Sequence, residues 1–345
     1  MALTSPVDAR TGTVSSGGAT TPGGIGRFIG YRLVSGLGTL VFVLLFNFFL
    51  FRLLPGDPAA RYRAVKNIGA ADLARIRAEL DAPVLTQFWA YLRDPLALNG
   101  ISAWKGQPVW DLVGGRAWPT VVLLGSSTLI SVLIGVRVGI RAGWKRGGRF
   151  DKASTAVTLL FYATPEFWLG LMLILLLSSG VGPFPALFPS GGVIDSGIDP
   201  LSIDGAVSVA EHTVLPATAL AAVYIAEYSL IMRASIIDEQ SQDYLTTARA
   251  KGLMDHVVRR RHAVPNASLP TITLIFLNIG FIIGGAITVE TVFSYPGLGL
   301  LTFEAVSEQD FVLMQALFLV FTLSVIVFNI IADVVIALLD PRIRG

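Results

Sequence analysis

The residues of this chain whose types could do chemistry are few, and most are scattered. His212, His256 and His262 do not fall at a metal-ligand spacing, and no serine sits in a nucleophile-elbow motif. No G-x-x-x-x-G-K-S/T run occurs, so the chain has no loop of the kind that cradles nucleotide phosphates. The absence of cysteine removes disulfide frameworks and thiolate metal sites. What stands out is residues 243–270, DYLTTARAKGLMDHVVRRRHAVPNASLP, a basic, glycine-punctuated, amphipathic segment between two apolar runs. Its chemistry is that of contact, with no bond broken or formed. Three carboxylates, Glu166, Glu227 and Asp333, lie inside apolar stretches. A charge at the bilayer centre costs about 3 kcal/mol on insertion scales, so each must face other helices or water.

The elements that position these residues are membrane helices. Hydrophobic residues make up 53% of the 345-residue chain, charged residues only 14%, and the mean hydropathy is +0.67, which places the chain among those that use lipid as solvent. Six stretches are long and apolar enough to cross a hydrocarbon core: residues 33–53, 118–140, 155–178, 214–235, 269–289 and 311–339. The first is longer than a signal-peptide core and follows a Gly/Ser/Thr-rich tail, which favours an uncleaved helix. The low-complexity composition of that tail predicts disorder.

Twenty-six Lys and Arg nearly balance 24 Asp and Glu, yet the signs are segregated along the chain. Between the second and third stretches stand Arg141, Lys145, Arg146, Arg149 and Lys152; between the fourth and fifth stand Arg249, Lys251, Arg259, Arg260 and Arg261. Cations in short loops resist translocation, so both segments are expected in the cytoplasm. Residues 180–213 and 291–310 carry no Lys or Arg and are expected outside. Both termini then lie inside.

The long loop 55–117 exceeds a connector. Residues 70–80 and 86–92 read as short helices within it, forming either a cap on the outer face or a surface for an external partner. In the central segment, residues 244–251 favour helix, Gly252 suits a left-handed helix end, and Leu253, Val257 and Arg261 resume helical spacing until Pro265 stops it. Two uses compete for its cations: anionic headgroups and a cytosolic protein. The small residues Thr247, Ala248 and Ala250 beside Gly252 favour close approach of a protein surface. Residues 294–299, SYPGLG, read first as a tight turn.

The run ARAKGL at Ala248 to Leu253, followed by His262, Asn266, Leu269 and Pro270, resembles the cytoplasmic "EAA" loop of permease subunits from ATP-binding-cassette importers of the dipeptide/oligopeptide/nickel group. LPGDP at 54–58, TPEFWLG at 164–170, VETVFSYPGLGLL at 289–301 and DPRIR at 340–344 match that group as well, in order and over nearly everything after the tail. The chain departs from the usual pattern at Thr246 and Thr247 and in the outer loop, at LDAP (80–83) and NGISAW (99–104).

The resemblance implies an all-α integral membrane fold like that of type I importers. It has six transmembrane helices, an external cap between helices one and two, and a cytoplasmic coupling-helix loop between helices four and five. The expected organisation is a tail at 1–27, a first helix at 28–54, a cap at 55–117 and a permease core at 118–345 with a coupling loop at 237–268. It further implies a peptide importer subunit that binds no cofactor of its own and is not an ATPase. Its implied partners are a homologous second permease, two cytosolic ATPases or one fused ATPase that bind ATP-Mg, an external substrate-binding lipoprotein and membrane lipid, with no nucleic acid. The coupling loop would offer Asp243, Thr247, Ala248, Arg249, Ala250, Lys251, Gly252, Leu253, His262, Asn266 and Pro270 to an ATPase groove. Glu166, Glu227, Tyr295, Pro296, Gly297 and Gly299 are the candidates for the gate or pathway. For Glu166 a structural role at the Pro165 break competes with substrate contact; for Glu227, lining the pathway competes with pairing to a partner subunit. Nickel chelates, haem and glutathione are the alternative cargoes.

Overall fold

A computed structural model describes residues 24–53, 71, 74, 77–78, 81–93, 100–180 and 185–339. The expectations for the tail, for LPGDP at 54–58, for DPRIR at 340–344 and for most of the helix at 70–80 lie outside these residues. The second cap helix forms as α2 (Val84–Arg93), after α1 (Gly24–Leu53). Then follow α3 (Val109–Trp144), α4 (Arg149–Ala163), α5 (Glu166–Leu173) with a π-helical turn at Ile174–Ser178, and α6 (Ile203–Gln240). After α7 (Asp243–Ala250) the chain turns through Asp255–Val257 and a π-helical turn at Val258–Ala263 into α8 (Val264–Gly285). The order ends with α9 (Ile287–Val292), α10 (Leu298–Ser307) and α11 (Phe311–Leu339). The described residues contain only an isolated β-bridge, Ile101 to Pro108.

Among the described residues five helices are long and apolar enough to span a membrane, and α4 with α5 and its π-helical turn, bent by 99°, makes a sixth if the broken pair is one span. The break falls at Thr164–Pro165, where a missing N–H and an extended residue before proline interrupt the helical ladder. The spans outrun their apolar cores: α3 begins nine residues before residue 118, and α6 begins at Ile203 inside the stretch read as external loop. Polar residues at a helix end meet water or headgroups, so hydropathy cannot mark the end. Half of the apolar window of α6 is buried, against 17% for α1, which makes α6 the central helix and α1 a peripheral one.

The α3–α6 contact is set by a ridge of small residues. Ser131, Gly135, Gly139 and Gly143 recur every four positions and therefore share a face. A Cβ on Gly139 would lie 2.7 Å from both Met232 Cβ and the Ser229 carbonyl oxygen, and one on Gly143 would lie 2.8 Å from the Arg233 carbonyl. The backbones meet with no room for a methyl, the small-xxx-small packing that holds helices together where lipid removes the hydrophobic drive. Ser131 Oγ adds a hydrogen bond to the Ala221 carbonyl at 3.3 Å.

Polar ties close the bundle at its edges. The guanidinium of Arg233 grips buried Asp151 with both arms, Nε to Oδ1 at 2.5 Å and a terminal nitrogen to Oδ2 at 3.0 Å. The Gly147 N–H donates to the same carboxylate, which fixes the α3–α4 turn onto α6. Asp333 of α11 meets Arg32 of α1 at 3.0 Å.

Candidate functional site

The central segment folds as two helical pieces around a turn. α7 ends on Gly252 at φ +77°, a conformation that glycine adopts without strain. Gly252 N–H bonds to the Arg249 carbonyl at 2.9 Å and Leu253 N–H to the Ala248 carbonyl at 3.4 Å. This pair of bonds is a Schellman motif, which satisfies carbonyls the helix end would leave bare. A Cβ on Gly252 would meet nothing within 4 Å, so the tip is open. Asp243, Thr247, Arg249, Ala250, Lys251 and Gly252 are exposed, and two apolar side chains, Leu253 at 39% and Met254 at 65%, are exposed beside them. Ala248 does not share that face. It packs inward with Leu245, Val258, Ala263 and Trp144, because the i, i+3 spacing of Leu245 and Ala248 gives α7 its apolar side.

The base of the segment is tied to the spanning helices at several points. Trp144 Nε1, at the end of α3, donates to Asp255 Oδ2 at 2.8 Å, and Gln240 Nε2 donates to the Gly143 carbonyl at 2.9 Å. The Arg249 guanidinium lies 5.8 Å from the Trp144 ring centre. Asn266 Nδ2 donates to Tyr244 Oη at 2.8 Å and to the His262 carbonyl at 3.1 Å, and Tyr244 donates to Glu239. Partial burial, then the hydrogen bond to Glu239, raise the Tyr244 phenol above its ordinary value, which keeps it a neutral donor. His262 thus enters through its backbone. Pro265 does not stop the helix, contrary to the expectation. The π-helical turn at Val258–Ala263 resets the hydrogen-bond register before it, and α8 continues through Pro265 and Pro270. Pro270 is exposed within α8.

The intramembrane carboxylates have partners. Glu166 Oε1 accepts from Thr288 Oγ1 at 2.7 Å, and Glu227 Oε2 accepts from Asn278 Nδ2 at 2.8 Å. Tyr224, stacked on Tyr228 with ring centres 6.2 Å apart, lies within electrostatic reach of both carboxylates. The bundle therefore carries one half-buried polar strip formed by α5, α6 and α8 with Thr288 of α9.

After exposed Ser294, residues 295–299 are packed. Tyr295 is fully buried with its hydroxyl 3.1 Å from Thr213 Oγ1. Pro296 is half-buried, and Gly297 and Gly299 are buried against the carboxylate of Glu290. Glu290 is itself fully buried. It accepts from Thr120 Oγ1 at 2.8 Å and the Leu300 N–H at 2.9 Å, so a carboxylate caps the N-terminus of α10. The Leu298 N–H completes the cap by donating to Thr120 Oγ1 at 2.7 Å. Glu290 lay in the quoted motif, but its role depends on a partner 170 positions away. Met254, Tyr244, Trp144 and Asp255 were likewise missed; the adjacent apolar pair Leu253 and Met254 within a basic, polar segment was the available signal for Met254.

Residues 135–345 match the family model "Binding-protein-dependent transport system inner membrane component", and residues 25–121 match the model of the N-terminal part of such membrane components. A probable peptide ABC transporter permease of Sinorhizobium fredii is 33% identical over 93% of this chain and 100% of its own length. The glutathione transport system permease of Escherichia coli K12 is 34% identical over 91% of this chain and 97% of its own. Among solved structures, the methionine ABC transporter MetNI in an inward-facing conformation shares the fold at a TM-score of 0.54 and 14% identity, over 68% of this chain and 98% of that one. The chain belongs to the binding-protein-dependent transport system inner membrane component family: it is a multi-pass inner-membrane permease subunit of an ABC importer.

Proposed function

We propose that this subunit, paired with a homologous second permease, forms the pathway of an ATP-driven importer of di- and oligopeptides. Two cytosolic ATPases, separate or fused, grip the tip at Gly252 and bind the ATP-Mg, and an external binding lipoprotein delivers the cargo. Both termini share the cytoplasmic side with the coupling segment. The observation that carries this reading is the contrast within residues 243–270: an open tip of Ala250, Gly252, Leu253 and Met254 on a base fixed by Trp144–Asp255 and Tyr244–Asn266. A surface with small, apolar and cationic groups at its apex accepts a groove, and a fixed base passes displacement on to α3, α6 and α8. Glu166 and Glu227 line the pathway, where hydrogen-bonded carboxylates favour the ammonium group of a peptide. Tyr295, Pro296, Gly297 and Gly299 hold the opposite end of the gate through Glu290 and Thr213.

Glutathione is the second reading, favoured by the relative so named. Uptake of labelled di- to pentapeptides and of labelled glutathione, by cells with and without this subunit, separates the two. Peptide uptake that depends on the subunit is expected; uptake of glutathione alone would transfer the assignment to the second cargo.

A further inference from the structure

A cavity of about 440 Å³ opens beside the coupling segment, between the ends of α3 and α8. Arg137, Arg141, Lys145, Arg259 and Arg260 line it, with Ile140 and Val264 as its apolar wall. No acidic residue lines it, and the five cations form no ion pair among the described residues. The carboxylates nearest in sequence are engaged elsewhere, Asp151 by Arg233 and Asp255 by Trp144. Five like charges around one opening are held at a cost that an anion would relieve.

The setting selects the kind of anion. Arg137 lies seven residues inside the end of α3, roughly 10 Å along the axis at 1.5 Å per residue, near headgroup depth. Leu129, Ile130, Leu133 and Ile134, all exposed, continue the same helix toward the membrane interior. A ligand with a phosphate at one end and hydrocarbon at the other satisfies both halves. The coupling tip, where a protein partner would sit, contributes none of the lining residues.

We propose that this cavity binds the headgroup of an anionic phospholipid, its phosphate among Arg141, Arg259 and Arg260 and its acyl chains along the exposed face of α3. Basic pockets between spanning helices are suited to such headgroups. The bound lipid would brace α3 against α8 beside the coupling segment, making transport depend on membrane composition.

The test uses the complete transporter, reconstituted into vesicles of phosphatidylcholine containing about one-third phosphatidylglycerol, then extracted and examined for retained lipid by native mass spectrometry. The wild type is expected to retain phosphatidylglycerol over phosphatidylcholine, and the double variant R141Q/R260Q to retain about tenfold less. The charge-conserving R141K/R260K should restore most of it. R146Q/K152Q, which removes two exposed cations at the same end but outside the cavity, should match the wild type. Monodispersity and co-purification of the ATPases report that each variant is folded. Equal loss in both glutamine pairs would reduce the effect to general surface charge and overturn the proposal. So would displacement of the lipid by inorganic phosphate but not by chloride of equal ionic strength, which would make the site one for free phosphate. Loss of the ATPases from R141Q/R260Q with lipid retention unchanged would overturn it as well, in favour of a protein contact.

Discussion

Trp144 Nε1 donates to Asp255 Oδ2 at 2.8 Å, joining the last residue of a spanning helix to the segment just beyond the Gly252 tip. In the proposed coupling role, a push on the tip would reach α3 through a directed hydrogen bond to a carboxylate, the kind worth about 1.5–3 kcal/mol. Trp144→Phe keeps the ring against Ala248 and Val258 and removes the donor. We expect the ATPases to remain bound while peptide taken up per ATP hydrolysed falls severalfold. The check is that ratio in proteoliposomes; an unchanged ratio would remove Trp144 from the coupling route.

The ridge on α3 sets a strict steric condition where two spanning helices meet. Gly139→Val places a branched side chain where a bare Cβ already stands 2.7 Å from the Ser229 carbonyl, so α3 and α6 must separate. The expected result is loss of folded protein, read as membrane-extracted yield and monodispersity. Gly125→Ala on the same helix meets nothing within 4 Å and should behave as wild type.

Arg233→Met strips buried Asp151 of its charged partner; breaking a fully buried pair costs about 3–5 kcal/mol, and the partly exposed Arg233 makes the cost here smaller. A large drop in the thermal midpoint of the solubilised complex is expected. Adding Asp151→Asn should recover most of it, because the uncompensated charge is then gone. A double variant no more stable than Arg233→Met would show that the guanidinium acts by packing alone.

At the opposite end, Thr120→Val removes a donor to Glu290 and an acceptor for the Leu298 N–H in one step. Two buried polar groups each lose a partner, at about 1–3 kcal/mol apiece. Gly297→Ala drives a methyl into the same carboxylate. Both should lower thermal stability; a Gly297→Ala protein of full stability that fails in transport would indicate a moving gate there.

The six spans were legible because lipid demands about 20 apolar helical residues and leaves few other ways to build them. Their ends were not, since Val109 to Ala117 and Ile203 to Thr213 remain helical beyond the apolar runs. Pro165 announced the break in the third span, whereas Pro265 misled, because the π-helical turn before it is invisible in composition. Gly252 was read correctly as a left-handed helix end. Asp151 and Glu290 escaped because their partners stand 82 and 170 positions away, distances over which no local spacing carries information. Gly135 and Gly139 sit in the stretch 118–140, which already fitted a membrane helix, and Gly143 lies just beyond it among cations.

The claim that Gly252 marks the point where an ATPase grips this subunit is tested most directly by comparing Gly252→Arg with Gly252→Asn. Asparagine tolerates the left-handed turn that Gly252 holds at φ +77°, while arginine adds bulk and charge to an open tip. With uptake of labelled peptide and co-purifying ATPase measured together, Gly252→Asn is expected to keep most of both, and Gly252→Arg to lose transport and shed the ATPase. Wild-type transport by Gly252→Arg, with its ATPase still bound, would contradict the account.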